Sequence, residues 1–73
     1  MGYVKAKMGD FKGTVSSLNK AIELDPQSEL AYKLRGQAKF ELKDYKGAKS
    51  DFEKALELNP NDKEAKEMLS KIK

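Results

Sequence analysis

The sequence predicts an all-α protein built from antiparallel helix pairs stacked side by side. Three observations lead there. The chain matches itself at one fixed offset, each copy carries apolar residues at helical spacing, and proline with short polar residues marks where each stripe stops.

The offset is the separation of Asp10 from Asp44. It lays Met8-Gly-Asp-Phe-Lys-Gly over Leu42-Lys-Asp-Tyr-Lys-Gly, and Lys20-Ala-Ile-Glu-Leu-Asp-Pro26 over Lys54-Ala-Leu-Glu-Leu-Asn-Pro60. Between 8–31 and 42–65 ten of 24 positions are identical, among them Gly13/Gly47, Ala21/Ala55, Leu24/Leu58 and Pro26/Pro60. Most other pairs keep size or polarity, as Phe11/Tyr45 and Leu18/Phe52 do.

Taken in order, five helices are expected, over about 2–8, 11–24, 29–42, 45–58 and 63–72. Phe11, Thr14, Leu18, Ala21 and Leu24 form one stripe, which Tyr45, Ala48, Phe52, Ala55 and Leu58 repeat. The aromatic members, Phe11, Tyr45 and Phe52, are expected in the core. Helix 29–42 has a contact face with small residues, and Gly36 in its middle implies a close approach that a side chain would block. Pro26 and Pro60 end the preceding helices, because proline disfavours the α conformation in the residue before it. Asp10, Ser28, Asp44 and Asp62 stand where a side-chain oxygen can cap the next helix. The last segment has a one-sided stripe of Ala65, Met68, Leu69 and Ile72, suited to the end of a stack.

Composition narrows function. A chain of 73 residues forms one small domain with a marginal core. It has no cysteine and no histidine, which removes disulfides, most zinc sites and the commonest nucleophile–base pairs. The acidic residues, such as Asp51, Glu53, Glu64 and Glu67, read as ion-pair partners on solvated helix faces rather than as a catalytic pair. No apolar run approaches the roughly 20 residues that cross a bilayer, and a soluble, cytoplasmic protein is expected. The net charge of +3 comes from interspersed signs, not from a basic stripe, so RNA binding rests on charge balance alone.

The motifs quoted resemble the tetratricopeptide repeat, whose signature is W-x2-L-G-x2-Y, then A, F and A, then P. On residues 29–62 the places are filled by Tyr32, Gly36, Ala48, Phe52, Ala55 and Pro60. Arg35 stands at the leucine place and Lys39 at the tyrosine place, where aliphatic stems would cover apolar surface while the charges reach water. Residues 1–28 look like a truncated unit, 29–62 a complete one, and 63–73 a capping helix or the start of a third. The resemblance implies a single domain, a right-handed superhelical stack of about two repeats plus the terminal helix.

It also implies a non-catalytic protein-interaction module with no cofactor or metal, whose partner is a protein or peptide held in a concave groove. The family's groove places fall on Leu30, Lys33, Leu34, Gln37, Phe40 and Glu41, with Tyr3, Ala6 and Lys7 from the first unit and Glu64, Glu67, Met68 and Lys71 from the last helix. The carboxylate clamp of chaperone-binding relatives would retain only Lys33, since Gln37, Leu30 and Leu34 replace its other members. Tyr32-Lys-Leu-Arg-Gly-Gln-Ala38 is similar to the equivalent helix of the co-chaperone that binds the ATPase domain of seventy-kilodalton heat-shock proteins. The alternative is an engineered or minimal repeat with a structural role and no natural ligand, with a homodimer covering the N-terminal face.

Overall fold

The computed structural model describes residues 10–72. The helix expected at 2–8, with Tyr3, Ala6 and Lys7, lies outside them. The described residues form four helices and no strand: α1 Phe11–Leu24, α2 Glu29–Glu41, α3 Tyr45–Leu58 and α4 Lys63–Lys71. α2 and α4 each stop one residue short of the expected ends, because Leu42 and Ile72 serve as C-caps.

The polar punctuation works as local chemistry dictates. Asp10 and Asp44 accept from the backbone N–H of Gly13 and Gly47 at 3.2 and 3.1 Å. A Cβ on either glycine would sit 2.6 or 2.5 Å from Oδ2, the carboxylate oxygen not used in the cap, so these two aspartates as placed leave no room for a larger residue there. Ser28 and Asp62 likewise accept from Ala31 and Ala65 at 3.3 and 3.2 Å. Before each proline the chain is extended, with φ −142° at Asp25 and −143° at Asn59.

The α2–α3 turn is built differently. Lys43 N–H donates to Phe40 C=O at 3.0 Å and Asp44 N–H to Lys39 C=O at 2.8 Å, the paired bonds of a Schellman ending. That geometry places Lys43 at φ 67°, a conformation that costs a side-chain-bearing residue about 1–2 kcal/mol.

The core sits between α2, α3 and α4. Ala48, Phe52, Ala55 and Ala65 are wholly buried, with Tyr32, Phe40, Leu56, Met68, Leu69 and Ile72 packed around them. Phe52 is the largest fully buried side chain, and its burial contributes about 1.5–3 kcal/mol. Gly36 makes that seat possible: a Cβ there would lie 3.0 Å from two Phe52 ring atoms and 3.2 Å from Asp51 Cβ.

Two of the three expected core aromatics are elsewhere. Tyr45 is 46% exposed at the first turn of α3, its ring meeting Phe40 edge-on at 5.4 Å. Phe11 is half-buried and borders a groove, and no residue of α1 is fully buried. Leu24, at the end of the α1 stripe, is 88% exposed, because no described element covers the last turn of that helix.

Candidate functional site: an ion-paired helix beside an apolar groove

α2 carries three cations, Lys33, Arg35 and Lys39, and all three are engaged within the chain. Arg35 grips Asp51 with a two-point fork, Nε to Oδ2 at 2.9 Å and Nη2 to Oδ1 at 2.6 Å. Its remaining Nη1 donates to Asn19 Oδ1 on α1 at 2.8 Å, and its guanidinium lies 5.5 Å from the centre of the Tyr32 ring. Lys39 approaches the same carboxylate at 3.6 Å. Asp51 is only 3% exposed.

This corrects two expectations. Asp51 is not on a solvated face, and Arg35 and Lys39 do not send their charges to water. Lys39 does lay its stem over neighbouring surface, since its Cδ would contact a Cβ on Gly47 at 2.9 Å. Its head turns inward because Asp51 needs positive charge: burying an unpaired carboxylate costs several kcal/mol. The two residues that depart from the family pattern thus converge on one buried anion. The bond to Asp51 raises the Arg35 pKa, against the opposing effect of burial.

Lys33, the place a clamp lysine would take, is also occupied. Its Nζ lies 3.2 Å from Asp62 and 3.0 Å from Glu64, and its side chain is 15% exposed. Those bonds, Glu64 first, raise its pKa. Lys33 therefore ties α2 to the N-terminus of α4. Glu29 completes this junction. Its buried Oε2 has no hydrogen-bond partner. Once protonated it can donate to Asp62, which holds the Glu29 pKa above its ordinary value, with burial acting the same way. The same bond holds Asp62 below its usual value, helped by the Ala65 N–H and Lys33.

Beside this helix lies an open groove of about 810 Å3. α2 supplies Leu34, Gln37, Ala38 and Glu41, and α4 supplies Met68. The facing wall is α1, with Phe11, Thr14 and Leu18. Leu34 is 39% exposed. Leu34, Gln37, Glu41 and Met68 were all family groove places, and the fold brings them together. The other expected places are apart from it. Leu30 is 55% exposed outside the lining, Phe40 packs on the core and Tyr45, and Lys33 is held by its carboxylates.

The α1 wall was not among the expected groove places. Its signal in the sequence was the Phe11-Thr14-Leu18 stripe, which needs a covering partner. Among the described residues no group of His, Cys, Asp or Glu could hold a metal, and no helix is long and apolar enough to cross a membrane.

Stacked helical hairpins with a shared core and an open lateral groove define the class: a helical-repeat protein. Comparison with known proteins places it more closely. Models of the tetratricopeptide repeat match residues 1–28 and 30–62. Among solved structures, the NMR structure of the first TPR domain of the human RPAP3 protein is similar, with a TM-score of 0.88 and 40% identity over 89% of this chain. The chain spans about half of that one, 51% of its length. No curated protein matched. The chain belongs to the tetratricopeptide repeat family, a non-catalytic fold whose repeats mark a protein–protein interaction module.

Proposed function

We propose that this module holds a peptide or partner helix in the groove between α1, α2 and α4. One observation carries the reading. A chain with 37% charged residues keeps Leu34 and Leu18 open to a concave strip, with Phe11 and Met68 beside them. The clamp for an acidic C-terminus is not supported, because Lys33 already neutralises Asp62 and Glu64. The stretch Tyr32–Ala38, which motivates a chaperone-associated role, has both of its cations engaged internally. A cytoplasmic setting is part of this proposal, as is a protein partner rather than a nucleic acid or membrane.

Selection from a displayed peptide library, followed by mapping of amide shifts, tests the proposal. Ligands should move Leu34, Gln37 and Leu18, and Leu34→Glu should abolish binding while helicity stays unchanged. Ligands that map to another face would refute the groove.

A second reading is favoured by α1, which buries none of its residues fully. In it the α1 side pairs with a second copy and the role is structural. Sedimentation separates the two: a dimer that Leu18→Glu dissolves supports self-association, and a monomer at all concentrations removes it.

A further inference from the structure

The chain carries a net charge of +3, yet its groove has the opposite character. Among the described residues its lining holds two acids, Asp10 and Glu41, and no lysine or arginine. The cations of α2, the helix that lines it, are engaged elsewhere. Lys33 is spent on Asp62 and Glu64, and Arg35 and Lys39 on Asp51. Glu41 is exposed on the last turn of α2, and among the described residues no cation forms an ion pair with it. It also stands at the negative end of the helix dipole, which adds to its field instead of compensating it. Asp10 spends one oxygen on its cap and presents a second carboxylate at the start of the α1 wall.

We infer that the groove selects an amphipathic partner segment whose apolar face is flanked by lysine or arginine at the end seated by Glu41 and Asp10. The inference rests on the groove reading above and adds the chemistry of its occupant. Leu34, Leu18 and Met68 supply the apolar contact, Gln37 a hydrogen-bonding group at mid-groove, and the two carboxylates the direction in which the segment lies. An acidic tail meets repulsion at that end and no counter-charge elsewhere among the described residues of the lining.

Three synthetic peptides of equal apolar content, each about twelve residues or roughly 18 Å as a helix, test it. One carries lysines on its polar positions, one glutamates and one glutamines, and each is titrated into the isotope-labelled chain. The lysine peptide should bind more tightly than the glutamine one by about fivefold per charge pair engaged, weaken as salt is raised, and move the Leu34 and Gln37 amides. Glu41→Lys sets a cation against the remaining Asp10 and should abolish the preference for the lysine peptide over the glutamate one. This variant relieves an unfavourable charge at a helix C-terminus, so the fold is retained, and circular dichroism checks it. Glu53→Lys, on the exposed side of α3, matches the charge change and should leave the ranking as it was.

A glutamate peptide that binds the groove as well as the lysine one overturns the inference while leaving the groove reading standing. So does a ranking that Glu41→Lys leaves unchanged. Failure of all three peptides to move any groove amide overturns both.

Discussion

α1 and α3 open on the same pattern, an aspartate, an aromatic, a lysine and a glycine, yet they lie in different environments. α3 buries Ala48, Asp51, Phe52 and Ala55, while α1 buries none of the equivalents Thr14, Ser17, Leu18 and Ala21. The difference lies in neighbours. α3 is flanked by α2 and α4, whereas among the described elements α1 packs chiefly on α2. A helix stripe states only that one side needs covering; the stack decides how completely it is covered. The same pattern therefore serves as core in one unit and as a groove wall in the other.

The largest expected contrast sharpens that view. Phe52→Ala removes a fully buried ring and should cost about 3–5 kcal/mol, enough to unfold a domain this small. Its counterpart Leu18→Ala, half-buried at the groove, should cost well under half as much. Urea unfolding followed by circular dichroism measures both, and equal losses would break the comparison.

Next comes the buried anion. Asp51→Ala leaves Arg35 and Lys39 without their counter-charge and should cost about 3–5 kcal/mol, whereas Ser17→Ala, its equivalent on α1, should be near neutral. Replacing the pair together, as Arg35→Leu with Asp51→Leu, should recover most of the loss. A double variant as unstable as Asp51→Ala would show that the fork is indispensable.

Much of this was legible in the sequence and the remainder was not, for physical reasons. Helix ends were readable because caps and prolines act over three or four residues, as Asp44 acting on Gly47 shows. Gly36 announced the close approach to Phe52. The fate of Arg35 was hidden, since its partner Asp51 lies on the next helix and nothing local distinguishes that carboxylate from a solvated one. Of the groove places implied by the family, Leu34, Gln37, Glu41 and Met68 converge. Lys33 does not remain open, because the acids that claim it arrive with α4.

A smaller effect separates the turns. Lys43 holds a left-handed conformation where the first unit has Gly9 in register. Lys43→Gly should stabilise the chain by about 0.5–1 kcal/mol in thermal unfolding, and no gain would mean that flanking contacts already offset the strain.

The smallest is a pH effect at the α2–α4 junction. Glu29 has a folded pKa raised above 4.5, so its contribution to stability is full below 4.5 and is lost as pH rises through the folded value. Asp62, lowered from 3.8, contributes above 3.8 and loses that contribution as pH falls through its own depressed value. Stability should thus rise slightly from neutral pH towards 4.5. Asp62→Asn should return the Glu29 carboxyl, followed by NMR titration, towards its ordinary value.

The joint between units has a consequence of its own. Asp25 and Asn59 fold back on the N–H two residues ahead at 3.2 and 3.3 Å, and Ser28 and Asp62 then open the next helix with matching geometry. Each connector closes its backbone bonds within itself and on the helix turns that flank it, as Asp25 and Asn59 do by donating to Ala21 and Ala55 C=O. Lengthening the array is accordingly a matter of copying the connector, and hairpins of different outer surface can be interchanged at it with their orientation preserved.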